Sequence, residues 1–318
     1  MGLTGNILVT LALTFWPMVW VVSVMGMGGP GASNSLSWIV QLLVFMSYPF
    51  WILLWLSLSG KDYWGLSPLY FLVGFLITFS VLNASLLGYA FNLIRGIKNE
   101  GYSVSGGTVY YNAKALEEAD ASTFKQIEHE LAPLFASYAS DQRHTYFEGK
   151  VVEGASGGVL EPLDGDWSGW YVASGNDVIF GEKLLRGCIK EQLETFEGMS
   201  AHWARCNSNI YFAGRRIRDA DAESFTPIRE YLAVDKNRFY SGHQALNTPA
   251  DAQTFRRLGG PYYRDDSSVY VVSSHELERV NKADPGSFEV IYECIDDIQS
   301  DARDSDTRYF YGEPVASR

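Results

Sequence analysis

His202 and Cys206 stand four residues apart, a spacing that on a helix would set an imidazole and a thiolate side by side as two ligands of one metal ion. A structural zinc site wants four such ligands, and neither Cys188 nor Cys294 is obviously placed to complete one. Carboxylates are clustered at Asp164/Asp166, Asp219/Asp221, Asp296/Asp297 and Asp304/Asp306. Calcium ligation and glycoside hydrolysis both use paired carboxylates, but only in a defined geometry. The block from Glu293 to Asp306 reads as a solvated acidic face. No serine-nucleophile motif, phosphate loop or dinucleotide fingerprint occurs, and Gly26-x-Gly28-Gly29 follows no strand. No catalytic residue, metal site or cofactor is therefore assigned, and a non-enzyme is expected. Four aromatics remain, Trp167, Trp170, Tyr171 and Trp203, in a stretch where the chain's regularity lapses. They form the candidate interaction surface, weighed against a plain role in the core.

That regularity is a repeat. An aromatic pattern recurs as Tyr146-Phe147-Glu148-Gly149, Val178-Ile179-Phe180-Gly181, Tyr211-Phe212-Ala213-Gly214, Phe239-Tyr240-Ser241-Gly242 and Tyr309-Phe310-Tyr311-Gly312. Weaker copies lie at Val109 to Asn112 and Tyr270 to Ser273, giving a mean interval of about 33 residues. A second element, Asp-x-x-x-Phe with Ser or Thr before the Phe, keeps the same beat at Asp120/Phe124, Asp221/Phe225, Asp251/Phe255 and Asp284/Phe288.

The copy from Tyr231 to Leu258 shows what each part must do. Tyr231 to Val234 is a short β-prone run and Asp235 to Arg238 is turn material. Phe239-Tyr240 is a second strand, Ser241-Gly242 a hairpin turn, and Gln244 to Leu246 the returning strand. Asp251 then caps one or two helical turns that carry Phe255 and Leu258 inward. One such unit cannot bury its aromatic face alone, so the copies must stack. The expected fold over 108–318 is a β-rich α+β repeat domain of short antiparallel hairpins and helical turns, in about six to seven copies.

Tyr-x-x-x-Asp-Lys-Asn-Arg-Phe-Tyr-x-Gly at Tyr231 to Gly242, with Asp-Ala-x-Thr-Phe-x-x-Leu at Asp251 to Leu258, resembles the bacterial DKNYY repeat family. The resemblance covers about 108–318, most specifically 207–290. It implies a bacterial, envelope-associated protein with a repeated β-rich domain, and brings no assigned catalytic residues.

The first 94 residues have another solvent in view. From Met1 to Gly60 there is no Asp, Glu, Lys, Arg or His, and Lys61 and Asp62 are the only charges before Arg95. Three apolar runs, about 7–27, 36–58 and 66–94, each have the ~20 residues that cross a bilayer as a helix. Pro17 and Pro49 are expected to kink their helices. A cleaved signal peptide fits the first run poorly, because its N-terminal region lacks Lys and Arg and the run is too long. Ser80, Ala84 and Gly88 at i, i+4 and i+8 are the candidate helix-packing seam. Residues 95–107 are read as a linker.

Past Ile94 the chain carries 24 Lys+Arg against 36 Asp+Glu, so phosphate backbones are repelled and no nucleic-acid partner is expected. The expected partners are a lipid bilayer and another protein. The expected place is the bacterial inner membrane, multi-pass, with the side of the C-terminal domain undetermined because Lys61 and the N-terminus oppose Arg95 and Lys98. The leading expectation is a membrane-anchored interaction scaffold, one version being a toxin-immunity protein. The alternatives are an envelope enzyme acting on cell-wall or glycan material and a small channel or transporter subunit.

Overall fold

The computed structural model describes residues 1–29, 31–127, 137–163, 171–196, 202–273, 276–295 and 298–315. The chain divides into two compact units, Met1–Gln126 with Ala136–Gln142, and Ile127–Phe135 with Arg143–Arg318.

The first unit begins with six helical segments: α1 (Leu3–Thr14), α2 (Trp16–Met25), α3 (Leu36–Met46), α4 (Tyr48–Leu58), α5 (Pro68–Leu82) and α6 (Ala84–Ile94). α1 and α2 run on to Gly28 as one apolar helix of 26 residues, long enough to cross a membrane. The expected second and third spans are instead bent pairs, by 48° between α3 and α4 and by 68° between α5 and α6. Each bend has a local cause. Pro49 in the first turn of α4 has no N–H to give the preceding turn. At the second bend no proline is involved. The Asn83 amide donates to Phe79 O, competing with the helical ladder, while its Oδ1 accepts the Trp20 indole.

The 68° bend also corrects the expected seam. Ser80 lies on α5, Ala84 and Gly88 on α6, and all three are exposed. Helix packing rests on Ile39, Leu42, Met46 and Leu86 instead. Outside that small core the surface is apolar, with Leu58, Tyr70 and Ile94 each more than 70% exposed. A continuous apolar exterior of this kind suits lipid and not water.

Hydrogen bonds at the helix ends show how the segments are strung. The Thr10 hydroxyl meets that of Tyr63 at 2.7 Å, and the Trp64 indole donates to Thr10 at 3.0 Å. Asn34 Oδ1 accepts the Asn99 and Glu100 N–H groups, and the Asn99 amide donates to Ser33 O at 2.6 Å. Asn6 Oδ1 also accepts the Trp64 N–H, so the first half of α1 and the α4–α5 loop meet, as do the α2–α3 loop and the segment after α6. The first unit continues with a three-stranded sheet (Tyr102–Ser105, Thr108–Tyr111, Lys114–Leu116) that begins inside the expected linker, and ends with the paired strands Lys125–Gln126 and Tyr138–Ser140.

The second unit is an array of antiparallel meanders. After the pair His144–Phe147 and Lys150–Ser156, five four-stranded sheets follow among the described residues, every strand hydrogen-bonded to its neighbours in sequence. They span residues 160–189, 193–217, 226–246, 256–279 and 289–315. In the third, Leu232–Val234, Phe239–Ser241 and Gln244–Leu246 pair as the sequence implies. The Asp-x-x-x-Phe segments are single turns and not the expected short helices. Asp120 O accepts Thr123 N–H and Asp284 O accepts Ser287 N–H, closing one turn. The Asp side chain then bonds the N–H groups two or three residues on, as in Gln253 to Asp251 and Ser224 to Asp221, and the chain leaves at once as a strand.

Candidate functional site

The turn aspartate is what organises a repeat. Asp235 is buried, and its Oδ1 accepts the N–H groups of Asn237 and Arg238. Its Oδ2 accepts the Tyr240 hydroxyl at 2.7 Å and the N–H of Asp221, the cap residue of the preceding turn. Asp265 repeats this with Ser267, Ser268, Tyr270 and Asp251, and Asp304 with Asp306, Thr307, Tyr309 and Asp284. Burial alone would push these carboxyls up, but the converging donors hold Asp235, Asp265 and Asp304 below the usual carboxylate range. The partner phenols move the other way, those of Tyr270 and Tyr309 to about 12, chiefly through burial and then through the carboxylate they face.

Copies also lock to one another. Tyr171 OH donates forward to His202 O, the Trp203 indole to Glu230 O at 2.8 Å, and Tyr262 OH to Asp301 at 2.6 Å. The glycines that end the motifs at 181, 214, 242 and 312 lie on the preceding copy. A Cβ on Gly214 would come within 2.8 Å of Phe180 Cβ, and one on Gly242 within 3.3 Å of the Phe212 ring.

These contacts correct the expected aromatic surface. Tyr171 and Trp203 are fully buried, Tyr171 against Phe180 and Trp203 among Phe212, Phe225 and Tyr240. They fill the strand-start position that Tyr138 and Tyr262 hold in other copies. Trp167 and Trp170 lie outside the described residues, as do Asp164, Asp166, Asp296 and Asp297. The His202/Cys206 pairing fails as well. The segment is a strand, Trp203–Cys206, and the Cys206 sulfur is joined to Cys188 in a disulfide. His202 stacks on Phe212 and lies against Tyr231, and burial holds its imidazole below the ordinary value.

The site that sequence reading missed is a cleft of about 370 Å³ between the 226–246 and 256–279 sheets. Pro227, Ile228 and Val234 form its apolar wall. Phe255 and Tyr263 stack face to face at 5.2 Å along another side, and Arg229, Arg256 and Arg257 line it with positive charge. Arg229 is held by Gly260 O, and Arg256 stands 3.6 Å from exposed Asp266. Arg257 is exposed and makes no ion pair or side-chain hydrogen bond among the described residues. Clustered guanidiniums beside a flat aromatic pair recognise carboxylates and planar groups.

One turn decides the kinship of this region: Asp235-Lys236-Asn237-Arg238 closed by its own aspartate, followed by Phe239-Tyr240 with the tyrosine returning to that aspartate. Residues 203–313 match the DKNYY family. No curated protein and no solved structure matches the chain. The DKNYY segment contains each complete aspartate clamp described above and the whole arginine cleft. Within it the name-giving Lys and Asn are interchangeable with Asp-Ser at 266–267 and Ser-Asp at 305–306, whereas the Asp and the aromatic five residues later persist.

Proposed function

We propose that this protein is a membrane-anchored binding protein whose DKNYY repeat domain docks an acidic segment of another protein in the Arg229/Arg256/Arg257 cleft. The carrying observation is the cleft: three arginines and a stacked aromatic pair gathered where two copies meet, in a chain whose net charge is −12. Its walls are strands fixed by the Asp235 and Asp265 clamps, so the guanidiniums are presented on a rigid frame.

In this reading each bent helix pair is one membrane span, and the chain crosses three times. The end-to-end hydrogen bonding supports it, since the first half of α1 meets the α4–α5 loop while the α2–α3 loop meets the segment after α6. The family resemblance supports a bacterial envelope membrane as the setting, and a toxin-immunity protein is one role that such an anchored docking domain would fill.

Binding of aspartate- and glutamate-rich peptides bearing one aromatic residue, measured on the full chain in lipid nanodiscs, tests this. The double substitution Arg256→Glu with Arg257→Glu should weaken binding about tenfold or more, with the larger loss at low salt. Equal binding by the substituted and native proteins would discard the cleft as the docking site.

A further inference from the structure

Cys206 occupies a position with a defined job. In the regular copies the residue there is Asp235, Asp265 or Asp304, which reaches back to hold the segment before its own sheet. Cys206 has no carboxylate to do this, and its reach back is the bond to Cys188 in the last strand of the preceding sheet, Lys183–Ile189. Both sulfur-bearing residues are buried, with Cα atoms 5.7 Å apart, a separation that a disulfide spans.

The copy before offers an internal control. Residues 145–163 align with 178–196 at a constant offset of 33, pairing Lys150 with Lys183, Gly154 with Gly187 and Leu160 with Leu193. Both glycines have positive φ within long seven-residue strands. In that copy the positions of Cys188 and Cys206 are held by Ala155 and Ser174, and Ser174 bonds through its hydroxyl to Ser156 O at 2.8 Å. Two cysteines thus appear together, at the two positions that touch, where the neighbouring copy has neither. A lone buried cysteine is well explained as a small apolar residue; a matched pair in contact calls for a bond.

We infer that Cys188 and Cys206 are oxidised to a disulfide in the working protein, and that the repeat domain therefore folds on the face of the membrane away from the reducing cytoplasm. The step is thiol–disulfide exchange. The two thiols give up two protons and two electrons to an oxidised dithiol protein or small disulfide, which is reduced to its dithiol as the Sγ–Sγ bond forms. Such bonds persist in oxidising compartments and are rare in the cytosol. With three crossings, the N-terminus and Lys61 then lie on the cytoplasmic face and Arg95 and Lys98 on the other. Cations are balanced between the faces, so the cysteine pair is what sets the orientation.

The test counts thiols on the native full chain. Cells are quenched in acid, the protein is denatured, and a polymer-bearing maleimide is added with or without prior reduction. One adduct before reduction, on Cys294, and three after it are expected, and Cys206→Ser should give two adducts without reduction. In parallel, a protease added outside spheroplasts or intact right-side-out vesicles should digest the repeat domain. Three adducts on the unreduced native chain, or a repeat domain that resists external protease until the membrane is opened, would overturn the inference. The native-chain count and the protease arm need no variant to fold, and neither depends on the arginine cleft, so failure there is distinct from failure here.

Discussion

The copies at 160–217 and those at 226–315 solve one problem in two ways. Both must hold a two-residue turn shut and tie it to the chain before it. The later copies do so with a turn carboxylate that gathers four donors, as Asp235 does. The earlier copies put Ser174 and Cys206 in that position, lengthen the preceding strand around a positive-φ glycine, and tie back through a hydroxyl or a disulfide. The first solution is electrostatic and depends on pH; the second is neutral and, in one copy, depends on redox state.

Acid should separate the two most sharply. A carboxyl whose folded pKa is depressed contributes stability that is present above its unfolded value of about 3.9 and is lost as pH falls through the folded value. Asp221 is lowered to about 2, first by Lys236 and then by Ser224, and Asp235, Asp265 and Asp304 are lowered with it. Between pH 4 and 2, pepsin should therefore cut within 221–313 before it cuts within 160–196. Simultaneous cutting would erase the distinction. At the alkaline end, Tyr270 and Tyr309 have raised pKa values, so their contribution is whole below about 10 and fades as pH rises through about 12. Near-ultraviolet circular dichroism should record that loss.

Asp235→Ala comes next. It leaves a buried tyrosine hydroxyl and backbone N–H groups without an acceptor, a cost of about 3–5 kcal/mol. Ser174→Ala, at the same position in an earlier copy, should cost only about 1 kcal/mol. Urea melts of the two variants in detergent compare them directly, and equal losses would mean that the position matters and the carboxylate does not. Opening the Cys188–Cys206 bond, which closes a loop of separation 18, should cost about 3 kcal/mol. Reductant should accordingly lower the melting temperature of the native chain and leave a Cys188→Ser, Cys206→Ser chain unmoved.

Gly214→Ala strains both a φ of +71° and a 2.8 Å approach to Phe180, and about 2 kcal/mol is expected from denaturant melts. Smallest of all, Glu289→Gln should shift stability by less than about 1 kcal/mol, because its partner Arg303 and the carboxylate itself are both largely exposed.

The beat of the array was legible because glycine and aromatic residues recur where stacking needs them, and the Tyr231 to Leu246 meander could be laid out strand by strand. The helical turns are shorter than the sequence implies because an Asp cap followed by Ser/Thr-Phe signals how a turn starts and says nothing of how soon it stops. Trp203 and Tyr171 read as a surface in sequence because their copies lack the Asp-x-x-x-Phe element; the constant 33-residue offset from Lys150 to Lys183 is the signal that these copies are regular in their own way. The disulfide had no motif, since it joins residues brought together only when two sheets pack. Of the cleft, single arginines are visible in the sequence, but their convergence depends on the stacking of Phe255 on Tyr263.

Tyr171, Trp203 and Tyr262 each pass a proton donor onward to a later stretch of chain, and none passes one back by the same route. These three bonds all run forward along the chain. During synthesis a copy stays one bond short until its successor emerges, and a chain severed within the last sheet would strip the Tyr262 hydroxyl of its Asp301 acceptor.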